Sequence, residues 1–378
     1  MKQLTFGGEN LIIGNGSIDY LKNIKDSRVF IVTGGNSIFK NGTIEKISEI
    51  FKTNNCKTEI FSGVPKNPGT DIILSGVSKM KEFKPGIVIA IGGGSPMDAS
   101  KVMILFYENE NINFSNVLDI KLPSKRKKLK FIAIPTTSGT GSEVTKVAVV
   151  TFKDINLKIG IKTDLFIPDI AILDSQLTKS MPQNVVAETG MDALTHAVEC
   201  YTNTRLDDFT EALAIRAVEG LFEYLPLSFS KPTQLSREKV HNYQCMAGLA
   251  FANVGLGMAH GISHALGGKF NTGHGLANAI VLPYVLRFNS QDEEVKNKLS
   301  ILAKRIGSED FIESVKELKL KLNIPISLKA SGIKLDEFNS NLDMLVENSM
   351  KGATKVNPKT ITKEEMRKLL KDIYNGPQ

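Results

Sequence analysis

The sequence predicts an α/β N-terminal domain with a parallel sheet covered by helices on both faces, followed by an all-helical C-terminal domain. Up to about residue 134, short apolar runs rich in β-branched residues alternate with stretches of helical spacing, which is typical of a buried parallel sheet. After about residue 177, nearly every segment has helical spacing. We therefore expect an α/β domain over residues 1–178 and a helical domain over residues 179–378.

Strands and helices are predicted in turn along the first half. Apolar runs indicate buried strands at 28–33, 58–61, 86–91 and 130–134. Helical apolar spacing covers 41–53, 71–83 and 97–107. Three further strand-like segments, 147–152, 157–161 and 169–173, have no helix between them, so we expect them to form an irregular edge or a hairpin.

The second half is predicted as a series of helices, and Pro168 and Pro182 flank the transition into it. No period of 20–50 residues repeats along the chain, which excludes a solenoid. The helical segments are 184–201, 209–224, 237–251, 257–266, 277–285, 293–305, 312–322, 335–348 and 363–373.

Composition favours a soluble globular protein. The 378 residues are 42% hydrophobic and 23% charged, and a chain this long can bury a core without disulfides. No apolar run approaches the ~20 residues that span a bilayer, and the first residues contain no apolar segment typical of a signal peptide. The widely spaced Cys56, Cys200 and Cys245 fit a reducing compartment. We expect a cytoplasmic protein without membrane association.

The net charge of +7 does not by itself indicate a nucleic-acid partner. A nucleic-acid binder concentrates positive charge in a stripe interleaved with aromatic residues. Here the one dense basic run, residues 121–130, lies between two apolar segments and ends at a predicted strand. This favours a solvated loop over a polyanion site, and we expect no nucleic-acid partner.

Four of the five histidines and one aspartate have metal-ligand spacing. Asp192 and His196 are four residues apart, as are His260 and His264, so each pair shares one helix face. His274 follows shortly after. Because the surrounding residues are small and apolar, these polar groups need a partner, and a divalent cation supplies one. Imidazole and carboxylate donors suit iron, zinc, cobalt or nickel, whereas magnesium and calcium prefer oxygen ligands.

Two glycine- and hydroxyl-rich loops follow predicted strands. Residues 92–98 (GGGSPMD) lie between a strand and a helix, where backbone N–H groups and the helix N-terminus favour a pyrophosphate. Residues 135–143 (PTTSGTGSE) offer hydroxyls and flexible amides after the next strand. Both loops lie at the carboxyl ends of parallel strands, where open α/β sheets bind ligands.

The loop after the first predicted strand bears on cofactor choice. It reads Thr33-Gly34-Gly35-Asn36-Ser37, with Lys40 nearby. An acid at this place binds the 2′-hydroxyl of NAD, and none is present to repel a 2′-phosphate. Electrostatics therefore favour NADP(H) over NAD(H).

Together these motifs resemble the iron-containing (group III) alcohol dehydrogenase family, in particular its butanol-dehydrogenase-like members. The resemblance covers nearly the whole chain. It is carried by residues 92–101 (GGGSPMDASK), 135–145 (PTTSGTGSEVT), 190–202 (GMDALTHAVECYT) and 257–283 (GMAHGISHALGGKFNTGHGLANAIVLP).

The resemblance implies a role for each candidate residue. Residues 1–178 would form the dinucleotide-binding domain, and residues 179–378 the metal-binding catalytic domain. The metal, Fe(II), with zinc as an alternative in the purified protein, would be held by Asp192, His196, His260 and His274, with His264 as the nearby proton relay. Phe251 would line a substrate pocket that we expect to be apolar, together with Val147. Asn36 replaces a glycine usual in the family, which leaves the cofactor preference open. The implied cofactor-binding residues are Gly34, Gly35, Asn36, Ser37, Gly93, Gly94, Ser95, Asp98, Thr136, Thr137, Thr140 and Lys158.

The implied activity is metal-dependent, NAD(P)-linked hydride transfer between a nicotinamide cofactor and a small primary alcohol or aldehyde, by a homodimer or larger oligomer. A dehydroquinate-synthase-like lyase would need basic side chains to bind an anionic substrate, and Lys269 is the only cation between His260 and His274. A glycerol-dehydrogenase-like polyol oxidoreductase would use three protein ligands. A metal-dependent hydrolase, or a non-catalytic metal- or nucleotide-binding protein, would leave part of the motif set without a function. His241 fits neither histidine pattern and is expected at the surface.

Overall fold

The computed structural model describes residues 2–25, 27–152 and 157–376. They form two compact units, Met1–Met181 and Pro182–Gln378. The first unit contains a parallel sheet with helices, and the second is helical. The predicted fold class is therefore confirmed.

A six-stranded parallel sheet forms the centre of the first unit, in the order β1-β8-β5-β4-β2-β3. Its central strands are apolar on both faces, so each strand is buried from both sides. A separate antiparallel pair, β6 and β7, lies beside it. The strands are β1 (Asn10–Ile13), β2 (Arg28–Thr33), β3 (Lys57–Phe61), β4 (Ile87–Gly92), β5 (Lys130–Pro135), β6 (Val147–Phe152), β7 (Leu157–Lys162) and β8 (Ile170–Leu173).

Helices cover both faces of this sheet. Along β4, Val88 and Ala90 belong to one apolar cluster, whereas Ile89 and Ile91 belong to the other. This alternation follows from the two-residue period of a strand. The first cluster includes residues of α3 and α4, and the second includes residues of α2. The helices are α1 (Ser37–Lys40), α2 (Thr43–Thr53), α3 (Thr70–Phe83) and α4 (Gly94–Glu108).

Two strands differ from the sequence-based prediction. Residues of β8 were expected at an irregular edge or in a hairpin, but β8 lies inside the parallel sheet between β1 and β5. The expectation was wrong because β8 enters the sheet after the β6–β7 hairpin, without the helix that normally precedes a parallel strand. Strand β1 was missed because it is only four residues long, too short for its apolar residues to show a period. The hairpin expected from the neighbouring segments is present as β6 and β7.

The second unit is helical throughout its described residues, apart from turns and one 3₁₀ segment. His241 is buried, 1% exposed, rather than at the surface as expected, because its helix packs against α5 and α6. No single helix among the described residues could span a membrane; α7 and α8 together have the length and composition, but are bent by 101°. The helices are α5 (Gln183–Thr202), α6 (Asp208–Ser230), α7 (Gln234–Val254), α8 (Met258–Phe270), α9 (His274–Asn289), α10 (Glu293–Arg305), α11 (Phe311–Lys321), α12 (Leu335–Ser349) and α13 (Lys363–Asn375).

A buried lysine contacts the helix α9 near its internal proline. Pro283 has no N–H to donate to the Ala279 carbonyl oxygen four residues earlier, so this turn of the helix lacks one hydrogen bond. The Lys319 Nζ atom on α11 donates to the Ile280 carbonyl oxygen at 3.4 Å. Burial, with a smaller contribution from Lys316, lowers the pKa of Lys319 from 10.5 to about 7. Burial of the ammonium form therefore has a free-energy cost, which destabilises the folded chain.

Replacing this lysine should reveal that cost through its pH dependence. Below pH 7, Lys319 is protonated in both the folded and the unfolded chain, so the full penalty applies and Lys319→Met should raise the unfolding midpoint. Between the folded pKa and 10.5, only the unfolded chain keeps the proton, so the wild type gains stability as pH rises. Thermal unfolding at about pH 6 and about pH 9 should show the advantage of the variant shrinking. An equal difference at both pH values, or the same trend in the exposed control Lys321→Met, would contradict this account.

Candidate metal centre and cofactor loops

Three helices of the second unit bring a carboxylate and two imidazoles together. Asp192 lies on α5, His260 on α8, and His274 is the first residue of α9. Their ligand atoms all lie within 4.8 Å of one another, and the group is one that could hold a metal ion. The Asp192 Oδ1 atom is 3.8 Å from His260 Nε2 and 3.7 Å from His274 Nε2. One carboxylate oxygen and two imidazole nitrogens form a donor set that suits a divalent transition metal.

A glycine at the second position of α9 permits this close approach. A Cβ atom on Gly275 would lie 2.3 Å from the backbone carbonyl oxygen of Glu188 on α5, and 3.4 Å from the Cβ of Asp192. Any larger residue would force the two helices apart. The glycine that follows His274 in the sequence therefore has a packing role in assembling the ligand group.

The protonation states of the ligand group also suit a cation. Burial acts to raise the pKa of Asp192, but His196, His274 and His260, with a hydrogen bond from Asn278, outweigh it and lower that pKa. Burial, together with His196 and His274, lowers the pKa of His260 well below 6.5. Asp192 is thus a carboxylate and His260 a neutral imidazole near neutral pH, which are the forms that ligate metals.

The other two predicted histidines lie beside this group. The His196 ring stacks on the His260 ring, with centroids 4.7 Å apart, and on Phe251 at 4.3 Å. The His264 ring stacks on His274 at 5.1 Å and is exposed to solvent. His196 is not one of the three residues whose ligand atoms converge, so its role as a fourth ligand stays a prediction, as does proton relay by His264.

A buried glutamate holds the His260 ring. Glu199 accepts hydrogen bonds from the backbone N–H groups of Gly257 (2.9 Å) and Ala259 (2.6 Å). Its Oε2 also lies 2.6 Å from His260 Nδ1. Burial raises the pKa of Glu199 to about 7, although these donors oppose the shift. With its proton on Nδ1, His260 presents the lone pair of Nε2 to Asp192 and His274, and carboxylate contacts of this kind fix the tautomer of ligating histidines.

We expect Glu199→Gln to bind metal 10–100-fold more weakly, since loss of such a contact typically costs about that much. The glutamine is isosteric but cannot accept all three hydrogen bonds. Competition for Zn²⁺ with a chromogenic chelator measures the affinity. The exposed Glu364→Gln serves as the charge-matched control and should bind like the wild type. Equal affinity in both variants would show that Glu199 does not position His260.

The two predicted cofactor loops lie side by side in the first unit. Strands β4 and β5 are paired in parallel, so the loops that follow them leave the same edge of the sheet. A Cβ on Gly93 would lie 3.2 Å from the Thr137 Oγ1 atom, and one on Gly94 would lie 3.1 Å from the Thr140 Cγ2 atom. The glycines therefore let the second loop pack against the N-terminus of α4. That N-terminus has neither a side-chain cap nor an acidic residue in its first turn, so its N–H groups suit a pyrophosphate.

Asp98 and Lys101 on α4 anchor the second loop. The Asp98 carboxylate accepts from the Ser142 hydroxyl at 2.8 Å and from the Val149 N–H at 3.1 Å. The Lys101 Nζ atom, on a completely buried side chain, donates to the Ser142 carbonyl at 2.7 Å and to the Val147 carbonyl at 2.9 Å. Burial lowers the pKa of Lys101 to about 8, while Asp98 and Glu143 act in the opposite direction. Asp98 was expected in the pyrophosphate loop, and its carboxylate contacts the second loop and β6.

The remaining predicted cofactor and substrate residues also lie in the first unit. Gly34 and Gly35 directly follow β2, and Asn36 precedes the short helix α1, which begins at Ser37. Val147 is the first residue of β6, and Lys158 lies on β7. Burial lowers the pKa of Lys158. Ser95 and Thr136 lie in the first turn of α4 and directly after β5, respectively.

Three polar residues with structural roles in the two sites were missed from the sequence. No role was predicted for Lys101, although a lysine within the apolar sequence of α4 indicates a buried hydrogen-bond donor. Glu199 lies seven residues after Asp192, on the same helix face, and Asn278 lies one turn after His274. Helical spacing from the predicted ligands could therefore have identified both.

Comparison with known proteins agrees with this geometry. Residues 9–175 match the family model described as iron-containing alcohol dehydrogenase, and residues 186–374 match its C-terminal counterpart. The chain is 38% identical to an NADPH-dependent butanol dehydrogenase of Clostridium saccharobutylicum, over 98% of this chain and 97% of the relative. It is 34% identical to a 1-propanol dehydrogenase of Citrobacter freundii, over 96% and 97% respectively.

A solved structure supports the same assignment. The iron-containing alcohol dehydrogenase of Thermococcus thioreducens superposes with a TM-score of 0.92 at 31% identity, over 99% of this chain and 100% of that chain. The sequence match, the fold and the converging donors agree with one another. The chain belongs to the iron-containing alcohol dehydrogenase family, whose members are oxidoreductases that use NAD(P) and act on alcohols.

Proposed function

We propose that this protein is an Fe(II)-dependent, NADPH-preferring reductase of small unbranched aldehydes, which also oxidises the corresponding primary alcohols. The observation that carries the proposal is the convergence of Asp192, His260 and His274 on one point. The similarity of the chain to a butanol dehydrogenase and a 1-propanol dehydrogenase supports the substrate class. The family assignment favours this activity over the lyase, hydrolase and non-catalytic alternatives.

We assign the roles of the side chains as follows. Asp192, His260 and His274 hold the metal, with His196 as the fourth ligand. When bound, iron supplies Lewis-acid polarisation of the substrate oxygen, and the nicotinamide supplies or accepts the hydride. Glu199 keeps the Nε2 atom of His260 unprotonated. His264, exposed to solvent beside His274, exchanges the proton of the alcohol with water. Phe251, whose ring stacks on His196, contributes apolar surface to the substrate pocket.

The cofactor is held by the residues of three loops in the first unit. Residues 34–37 receive the 2′-phosphate, the N-terminus of α4 at Gly93, Gly94 and Ser95 receives the pyrophosphate, and Thr136, Thr137 and Thr140 complete the site. Lys158 contacts the ribose. The absence of an acid in residues 34–37 supports NADP(H) over NAD(H) on electrostatic grounds.

An aspartate introduced at Gly35 should reverse this preference. A Cβ atom there meets nothing within 4 Å, so the substitution requires no rearrangement of neighbours. Repulsion of the 2′-phosphate should lower kcat/KM for NADPH by about 100-fold, with a much smaller effect on NADH. The neutral control Gly35→Asn should retain the wild-type ratio. If the aspartate and asparagine variants change the NADPH/NADH ratio equally, this loop does not contact the 2′-phosphate.

We also propose that the protein works as a cytoplasmic homo-oligomer, a dimer or larger. Among the described residues, the three cysteines form no disulfide, in keeping with a reducing compartment. Light scattering of the purified protein tests the oligomeric state, and a monomer at working concentration would contradict the proposal.

The substrate class is tested by initial rates of the protein loaded anaerobically with Fe(II). Propionaldehyde, butyraldehyde, a branched aldehyde and glyceraldehyde are compared, each with NADPH and with NADH. We expect the unbranched aldehydes with NADPH to give the highest kcat/KM. Preferential reduction of glyceraldehyde with NADH would support the polyol oxidoreductase instead, and cofactor binding without turnover on any of these substrates would contradict the proposed substrate class.

A further inference from the structure

The Asn278 side chain lies against all three converging ligand atoms. This residue is buried on α9, one helical turn after His274. Its Nδ2 atom is 2.7 Å from Asp192 Oδ1, 3.0 Å from His260 Nε2 and 3.3 Å from His274 Nε2. The carboxylate accepts hydrogen bonds only, so it fixes the orientation of the amide, with NH₂ facing the ligands.

This orientation is unfavourable for the carbonyl oxygen of the Asn278 side chain. The Asn278 Oδ1 atom is buried and has no hydrogen-bond partner among the described residues. A buried acceptor left in this state is unfavourable and calls for a compensating interaction. The compensation lies on the NH₂ side, where the two N–H groups donate to the buried Asp192 carboxylate and to the buried Nε2 atom of His260, which would otherwise be unsatisfied acceptors.

A metal ion and this amide compete for the same lone pairs. The Nε2 atom of a neutral imidazole has one lone pair, which either accepts a hydrogen bond or binds a cation. Metal binding to His260 therefore requires that its Nε2 atom lose the hydrogen bond from Asn278. The Asp192 Oδ1 atom has further lone pairs, so it keeps its hydrogen bond from Asn278 whether or not a metal is bound.

We propose that Asn278 is a positioning residue that takes the place of the metal in the metal-free protein and thereby weakens metal binding. It stabilises the metal-free ligand group through two hydrogen bonds, to Asp192 and His260, and the loaded group through the one to Asp192. The inference rests on the metal site proposed above. It also predicts an unusual direction: removal of the amide should tighten metal binding, because it destabilises the metal-free state more than the loaded state.

The test is competition for Zn²⁺ with a chromogenic chelator, using full-length protein stripped of metal, together with thermal unfolding of the stripped protein. Asn278→Leu removes the donor at similar volume and should bind Zn²⁺ up to about tenfold more tightly, since the hydrogen bond to His260 no longer opposes binding. Asn278→Asp replaces the donor by a charged acceptor and should bind more tightly still. Both stripped variants should unfold at a lower temperature than the stripped wild type, and added Zn²⁺ should raise that temperature by more than it does in the wild type.

A matched control separates this role from ordinary packing. Asn109 is also a buried asparagine, at the end of α4 in the first unit, and its Nδ2 donates to the Leu105 carbonyl oxygen at 2.9 Å. Asn109→Leu should lower stability without changing Zn²⁺ affinity. Weaker Zn²⁺ binding by the Asn278 variants would overturn the inference, because a side chain that merely supports the ligands gives that result. If Asn278→Leu does not fold, the affinity of Asn278→Asp decides. A wild type that binds no metal would instead contradict the proposed site itself.

Discussion

Substitution of His260 by alanine is expected to abolish metal binding and lower kcat/KM by at least about 1,000-fold. His260 provides one of the three converging ligand atoms, and its side chain is 1% exposed. Its loss leaves two donors and a cavity in which Asp192 is still charged. Lewis-acid stabilisation contributes several kcal/mol to reactions of this type, and each 1.36 kcal/mol corresponds to a tenfold change in rate. Metal content after dialysis against Fe(II) under anaerobic conditions, and initial rates with butyraldehyde, measure the two effects.

His241→Ala is the control for this experiment. His241 is equally buried in the same unit but lies outside the ligand group. Its replacement should lower stability while leaving metal content at the wild-type level. Retention of stoichiometric metal and of wild-type kcat/KM by the His260 variant would contradict the assignment of the metal centre.

Replacement of Lys101 by methionine is expected to destabilise the protein and to impair cofactor binding together. The buried Nζ atom donates to the carbonyl groups of Ser142 and Val147. Methionine leaves these acceptors, and the nearby Asp98 carboxylate, without the ammonium group. Removal of one partner from a buried charge network costs about 3–5 kcal/mol. Because the loop before Ser142 packs on Gly93 and Gly94, we expect kcat/KM for NADPH to fall by about 100-fold, as when a binding loop is displaced by ~1 Å.

Unfolding by urea and the kinetics of NADPH saturation measure these effects. Lys125→Met, an exposed lysine in the same unit, controls for loss of positive charge and should change neither quantity appreciably. Loss of stability with an unchanged KM for NADPH would show that the anchoring contacts of Lys101 support the fold only, and not the cofactor site.

The central strands were predictable because each carries apolar residues on both faces, a pattern that only a doubly covered sheet satisfies. Val29, Ile31, Ile89 and Ile91 on one face, with their neighbours on the other, show this directly. Strand β1 could not be predicted in this way, since its four residues are too few to distinguish a strand from any other short apolar run. The place of β8 depends on long-range pairing with β5 and β1, which local sequence does not encode.

The ligand group was likewise only partly predictable from the sequence. Spacing along one helix relates Asp192 to His196, and His260 to His264, but the approach of α5, α8 and α9 to one another decides which donor atoms converge. In the structure these are Asp192, His260 and His274, whereas His196 stacks on His260 and Phe251. The partners of Glu199 and Asn278 likewise come from other helices, so their roles follow only from tertiary contacts. His241 was wrongly predicted to lie at the surface, since a histidine outside any motif can still be buried.

The most direct test of the metal-dependent reductase is a titration of metal-stripped protein with Fe(II) in the absence of oxygen. NADPH oxidation with butyraldehyde is followed after each addition. The site formed by Asp192, His260 and His274 predicts no turnover without metal, and a linear rise in rate that ends at about one Fe(II) per chain. Full turnover by the stripped protein, with no response to added Fe(II), would contradict the account.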